Sequence, residues 1–147
     1  MKSATKEDAD LFLKLMQVTN DERMNESMKW FEKFPKMNYK EFKSKYPPGS
    51  EGMEHFNRIM SSLELAGVLV SQGLLNENLY FDFSAVGFMW EKVGKIVPEM
   101  QKEMDPSLWE NAVWLAERQM EWKKEVWKPD LKWKLQPRKS VKIRSKK

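Results

Sequence analysis

The sequence predicts an all-α fold: an irregular bundle of five or six helices in antiparallel hairpins, followed by an extended basic C-terminal tail. Apolar residues recur three and four positions apart along most of residues 5–127, which is the spacing of amphipathic helices. No two alternating apolar segments joined by a hairpin turn occur before Pro129, so strands are not expected there. The connections between the helices are short, which favours antiparallel neighbours.

Capping residues place the first two helices. Thr5 and Asp8 are spaced almost as in a capping box, and apolar residues follow at helical spacing. This pattern predicts a helix over about residues 5–18. Asn20 or Asp21 then supplies the side-chain acceptor with which a second helix begins.

Prolines divide the next part of the chain. Pro35 ends the second helix, and Asn38 begins a short third one. That helix must end before the Pro-Pro-Gly sequence at residues 47–49, which is the clearest loop in the chain.

Residues 51–72 form the clearest predicted helix, capped by Ser50. Gly67 is expected to allow a neighbouring helix to approach closely. Gly73 is expected to end the helix in a left-handed conformation. The apolar residues that follow the helical spacing are Phe56, Ile59, Met60, Leu63, Ala66 and Val70.

Two further long helices are predicted, over about residues 83–103 and 107–127. The first carries a long apolar face before Pro98. Asp105 followed by a proline is a strong start signal for the second. Together with the helix before them, these two should form the central core.

Composition and charge divide the chain into two parts. Residues 1–127 contain 17 basic and 21 acidic residues, whereas residues 128–147 contain nine basic residues and one acid. We therefore expect a helical domain over residues 1–127 and a basic tail, extended or disordered, over residues 128–147. The chain has no cysteine, which excludes disulfides and thiolate chemistry. No apolar stretch is long enough for a leader or a membrane span, so a soluble cytoplasmic protein is expected.

Residues 64–77, Glu-Leu-Ala-Gly-Val-Leu-Val-Ser-Gln-Gly-Leu-Leu-Asn-Glu, resemble the central signature of a prokaryotic helical family known as domain of unknown function 4760. That signature has a glutamate inside an apolar helix, then a glycine, then a second glycine before an acidic helix start. Trp90, Pro98 and the segment 114–118 follow in the order that the family shows.

This resemblance covers about residues 5–123 and is sharpest over residues 59–118. It implies an α-helical domain, often placed behind an N-terminal membrane helix, with no established activity. The present sequence has no such membrane helix and adds the basic tail, which the resemblance does not explain.

His55 is the only histidine. Metal sites and acid–base catalysis require partners, and the neighbouring Glu51, Glu54 and Arg58 do not form a recognised ligand set. We therefore interpret His55 as a structural residue at the edge of a helix face. No phosphate-binding glycine motif is present either, so neither a metal nor another cofactor is predicted.

Glu64 interrupts an apolar run, where a bare charge is costly. The favoured interpretation is a structural buried charge that binds Arg58, Arg118 or a helix N-terminus. The alternative is a hydrolase in which Glu110 or Glu117 supplies the second carboxylate. The sequence favours the structural role and therefore a protein that is not an enzyme.

Seven tryptophans and eleven methionines are many for 147 residues. Trp109, Trp114, Trp122 and Trp127 cannot all face one stripe of a helix. Core packing accounts for most of these side chains. The remainder predict a partner groove or a homodimer face, because exposed aromatic and methionine patches mark interfaces.

The tail alternates apolar and basic residues, which suits an extended segment. Its charges could contact nucleic acid, an anionic membrane surface or an acidic protein. A solvated tail, or an arm docked on its own acidic domain, is the simpler alternative. The candidate polyanion-binding residues are Lys132, Trp133, Lys134, Arg138, Lys139, Lys142 and Arg144.

The function predicted from the sequence is a non-enzymatic helical module that binds a protein partner, or a second copy of itself, through an aromatic and methionine-rich face. The alternative is a nucleic-acid-binding protein that uses the basic tail.

Overall fold

The structure, a computed structural model, describes residues 3–126 and contains eight α-helices and no strand in that range. The all-α prediction is confirmed, and the predicted number of five or six helices is wrong. The tail prediction lies outside the described residues. The helices are α1 (Lys6–Thr19), α2 (Glu22–Glu32), α3 (Tyr39–Lys45), α4 (Glu51–Ser71), α5 (Glu77–Phe83), α6 (Val86–Val93), α7 (Val97–Glu103) and α8 (Glu110–Val126).

Side chains cap the first five helices. The caps of α1 to α4 lie at positions that the sequence predicts, with Asp21 and not Asn20 capping α2. The cap of α5 was not predicted. Thr5 and Asp8 complete a reciprocal capping box at the start of α1. A side-chain oxygen at each of the other four caps accepts a hydrogen bond from the backbone N–H three residues ahead. These caps are Asp21, Asn38, Ser50 and Asn76.

The segment predicted as one helix over residues 83–103 is divided among the end of α5, α6 and α7. Gln119, a buried residue of α8, stabilises the break between α5 and α6. Its side-chain amide donates to the carbonyl oxygen of Ser84 and accepts from the N–H of Gly87 at 2.8 Å. These bonds satisfy backbone groups that a continuous helix would pair internally. Pro98 lies in the first turn of α7, where no donor is needed, so it does not end a helix.

The sequence predicted that the last helix begins near residue 107, but it begins at Glu110. The carboxylate of Asp105 accepts from the N–H and the hydroxyl of Ser107, at 2.8 and 2.7 Å, and so stabilises a turn. Trp109 then adopts a left-handed conformation with φ of 58°. Such a conformation costs about 1–3 kcal/mol for a bulky residue, which the surrounding contacts must offset.

The core is arranged around α4, which packs between α2 and α8. The prediction that α4 and α8 are central is confirmed, but α2 packs on α4 more extensively than α6 does on α8. Gly67 makes the α4–α8 contact possible: a β-carbon there would lie 2.3 Å from the backbone oxygen of Asn111. The close approach predicted for Gly67 is therefore confirmed. Gly73, with φ of 71°, has the predicted left-handed conformation.

An aromatic cluster fills the other end of the core, where α2 and α3 meet the start of α4. The rings of Phe42 and Phe56 lie with their centroids 4.7 Å apart, and both side chains are buried. Phe31, near the end of α2, and Phe34, just after α2, stack on each other beside this pair.

Among the helices of residues 3–126, none is both long and apolar enough to cross a bilayer.

Candidate functional site

A groove of about 510 Å³ opens between α1, α2, α4 and the corner where α5 meets α6. Four methionines and two phenylalanines are among the residues that line it, and we call it the methionine groove. Thioether side chains are flexible and polarizable, so such a surface adapts to apolar partners of different shape. These residues are Met16, Met24, Met28, Phe83, Phe88 and Met89.

The floor of the methionine groove belongs to the hydrophobic core. Leu15, Leu63 and Val86 are each less than 5% exposed. Tyr80 also lies in the floor, where burial raises the pKa of its hydroxyl. The groove therefore has a rigid, uncharged base beneath flexible side walls.

Two hydroxyl groups that line the methionine groove are already satisfied by their own helices. Thr19 Oγ1 donates to the carbonyl oxygen of Leu15, and Ser62 Oγ donates to that of Ile59, both at 2.7 Å. These donors are not free for a ligand. The arrangement therefore selects for apolar contact more than for hydrogen bonding.

Two aromatic rings protrude at the edge of the methionine groove. Phe83 is 71% exposed and Phe88 is 60% exposed. Phe83 meets Phe12 edge-to-face at 5.5 Å, which fixes its direction. The sequence predicted an exposed aromatic face, but tryptophans were expected to supply it. Phe83 and Phe88 were missed because both were assigned to one continuous helix.

The tryptophans of the last helix are covered by the fold. Trp122 is buried and donates from Nε1 to Asn78 Oδ1 at 2.6 Å. Trp109 and Trp114 are half-buried against the core. Trp127 lies outside the described residues.

Glu64 is half-buried and binds the N-terminus of α8, one of the three structural partners that the sequence suggested for it. Its carboxylate accepts from the backbone N–H of Ala112 at 2.9 Å and from Asn111 Nδ2 at 2.8 Å. A carboxylate at this position also interacts favourably with the helix dipole. Glu110 and Glu117, the proposed catalytic partners, are both exposed to solvent, and neither is bonded to Glu64 in the part of the chain that the structure describes.

Arg118, a second predicted partner of Glu64, pairs elsewhere. Its guanidinium binds both carboxylate oxygens of Glu77 at 2.7 and 2.8 Å, and thereby connects α8 to the start of α5. It also bonds Glu125 one to two turns further along α8. Hydrogen bonds to the carboxylates of Glu77 and Glu125 raise the pKa of Arg118 well above its usual value. The hydrogen bond from Arg118 in turn lowers the pKa of Glu125.

Arg58, the third predicted partner, belongs to a polar cluster between α2 and α4. Its Nη1 donates to Ser27 Oγ at 2.7 Å, and Ser27 Oγ lies 2.8 Å from His55 Nδ1. Glu51 lies 3.6 Å from His55 Nε2. The order serine, histidine, carboxylate is that of a hydrolase triad, but Ser27 is fully buried and is not accessible to a substrate.

His55 is itself buried and stacks on Trp30 at 5.5 Å. The sequence predicted that His55 lies at the edge of a helix face. It lies instead within the α2–α4 interface. Among the described residues, no group of three or more histidine, aspartate or glutamate side chains is arranged to hold a metal ion.

The tail residues predicted to bind polyanions lie outside the described residues, so this prediction stays open. They are Lys132, Trp133, Lys134, Arg138, Lys139, Lys142 and Arg144.

The family model described as domain of unknown function 4760 matches residues 4–119 of the chain. The match covers most of the 147 residues, so the chain belongs to this family, as the signature around Glu64 predicted. No curated protein and no solved structure matches the chain.

Proposed function

We propose that the chain is a helical protein-interaction module whose methionine groove docks onto a second copy of the chain. One observation carries the proposal: the apolar recess and the protruding rings of Phe83 and Phe88 lie on the same face. A face that carries both a recess and a projection can be complementary to itself. A two-fold dimer requires this property, because each copy contributes the same surface.

The exposed surface beyond the groove supports the same proposal. Val18 is 67% exposed and Leu65 is 41% exposed, and both line a shallow depression that shares Thr19, Met24 and Ser62 with the groove. Two exposed apolar side chains thus lie next to the groove, in a depression that is also lined by the charged residues Asp21, Arg23 and Arg58. Such a mixture suits the rim of an interface around an apolar centre.

The experiment measures the mass of the 147-residue protein by sedimentation equilibrium over a range of concentrations. We expect a reversible dimer for the natural sequence. The substitution Phe88→Asp should raise its dissociation constant at least about tenfold, because it places a charge in an apolar contact. Position 88 is the third residue of α6, where an aspartate favours the helix, so the variant should still fold.

Leu13→Asp is the matched control. Leu13 is 64% exposed, slightly more than Phe88, but does not line the groove. It should leave the dimer unchanged. A monomer at all concentrations for the natural sequence, or equal weakening by both substitutions, would refute self-association through this groove.

We propose as a second candidate that the basic tail binds nucleic acid. Nine basic residues and one acid in residues 128–147 support it, as does Trp133, which offers a stacking surface. The acidic domain of residues 1–127 would be repelled by a polyanion, so the contact must come from the tail.

Removal of residues 128–147 tests this candidate. The intact chain should bind a labelled single-stranded oligonucleotide, and the affinity should fall steeply between about 50 and 200 mM salt. The truncated chain should not bind. Dimerization through the methionine groove should persist in both chains at high salt, so the two proposals fail independently.

A further inference from the structure

A second recess, which shares no lining residue with the methionine groove, lies between α3, α7 and the first half of α4. Its volume is about 700 Å³, within the usual range for small-molecule sites. Aromatic and thioether side chains dominate its lining, a combination that favours contact with an aromatic ligand. They are Tyr39, Tyr46, Met53, Met100, Met104 and Trp109.

Trp109, which lines this recess, carries an unused hydrogen-bond donor. Its indole Nε1 is buried and is the one buried side-chain nitrogen or oxygen atom without a partner among the described residues. Buried polar groups are nearly always paired, so an exception requires an explanation. Its N–H has a proton to donate and cannot accept one, so the missing partner must be an acceptor.

The backbone holds Trp109 in place from both sides. Gln101 Nε2 donates to the carbonyl oxygen of Leu108 at 2.7 Å, directly before it. Glu64 binds the N–H of Ala112, three residues after Trp109. The chain is thus anchored on either side of Trp109, which keeps a left-handed conformation, and such outliers concentrate at binding sites.

The charges around the recess are paired with each other. Lys43 Nζ lies 2.6 Å from Glu103 Oε1, and the Tyr39 hydroxyl donates to the same carboxylate. The recess thus carries one cation and one anion in direct contact, with no net charge to attract an ion. An uncharged ligand suits this balance better than an anion or a cation.

We propose that this recess binds a small uncharged aromatic molecule whose oxygen accepts a hydrogen bond from Trp109 Nε1. The aromatic body contacts the methionines and tyrosines of the walls. Because Nε1 is covered by protein in this conformation, the bond requires the half-buried indole to turn toward the recess. The site is separate from the methionine groove and does not depend on dimerization.

The test follows the indole N–H signals of the full chain by proton–nitrogen correlation NMR, with Trp109 assigned from its loss in Trp109→Phe. The probes are acetophenone and ethylbenzene, which have nearly the same shape but differ in the oxygen acceptor. Acetophenone should shift the Trp109 signal downfield with a saturating curve. It should bind about tenfold more tightly than ethylbenzene, because only it satisfies the buried donor.

Two variants decide the interpretation. Trp109→Phe should bind both probes with the same affinity, since the donor is gone. Met104→Gln changes a side chain that is 68% exposed at the recess, so the fold is retained, and it should weaken both probes. Met120→Gln, on an exposed methionine of α8 outside the recess, should change neither. Equal affinity of the two probes for the natural sequence, or shifts that do not saturate, would overturn the proposal.

Discussion

The carboxylate of Glu64, in the middle of α4, accepts a hydrogen bond of 2.9 Å from the backbone N–H of Ala112 in the first turn of α8. The two longest helices of the domain are thus joined by a charge-assisted bond at their crossing. Removing the carboxylate leaves the N–H groups of a helix start without a partner.

Glu64→Ala should therefore lower the free energy of unfolding by about 1.5–3 kcal/mol, as measured by urea denaturation. Glu64→Gln places an amide donor beside the donor of Asn111, but it keeps one acceptor oxygen. It should therefore lower the free energy of unfolding by less than Glu64→Ala does. Glu117→Ala, on an exposed glutamate of α8, is the control and should stay within about 0.5 kcal/mol. An equal effect of alanine at residues 64 and 117 would contradict this account.

Gly67→Ala should lower the free energy of unfolding by about 1–3 kcal/mol, since its β-carbon would collide with the backbone of Asn111. Gly87→Ala should have the opposite sign. Its β-carbon would meet Gln119 at 3.7 Å, an ordinary contact, and alanine stabilises a helix by about 0.5–1 kcal/mol relative to glycine. Thermal denaturation of the two variants checks the difference in sign.

Ser27→Ala should lower the free energy of unfolding by about 1–3 kcal/mol, because it removes the hydroxyl that joins Arg58 to His55 inside the α2–α4 interface. Ser61→Ala, on the exposed face of α4, is the control and should have little effect.

The same cluster predicts the tautomer of His55. Ser27 Oγ accepts from Arg58, so its own proton is available to His55 Nδ1, and the neutral ring should carry its proton on Nε2. Nitrogen chemical shifts of the ring identify the tautomer. A proton on Nδ1 would contradict the assigned direction of this hydrogen-bond chain.

Tyr39 should ionise at an unusually high pH. Burial, the hydrogen bond to Glu103 and the charge of that carboxylate together raise its pKa from 10.0 to about 12. A group that is neutral when protonated, with its pKa raised by folding, stabilises the fold below its unfolded pKa. That stabilisation is lost as the pH rises from about 10 through about 12.

Ultraviolet absorbance of tyrosinate, taken as the difference between the natural chain and Tyr39→Phe, measures this titration. Glu103→Gln should lower the pKa of Tyr39 only in part, because burial, the largest single cause of the shift, is retained. A Tyr39 that ionises near 10.0 in the natural chain would show that this environment is wrong.

The helix starts could be predicted because their causes are local. Thr5, Asp21, Asn38 and Ser50 each bond a backbone group only three residues away, so a short sequence segment contains the whole interaction. The division of residues 83–103 could not be predicted in the same way. It depends on Gln119, which lies more than thirty residues further along the chain.

The sequence could predict that Glu64 is paired, but not which of the three candidate partners it binds. A carboxylate in an apolar run must be paired, but the choice depends on where α8 begins. The methionine groove also depends on tertiary structure. Phe83 and Phe88 look like core residues in a continuous helix, and only the break between α5 and α6 leaves both exposed.

Helix α4 lines both recesses. Met53 and Asn57 face the recess beside α7, whereas Ser62, Leu63 and Ala66 face the methionine groove. A molecule that tilts or rotates α4 when it binds in one recess must change the shape of the other recess. Any such tilt would couple the two recesses, and by thermodynamic reciprocity each occupant would then change the affinity for the other by the same factor.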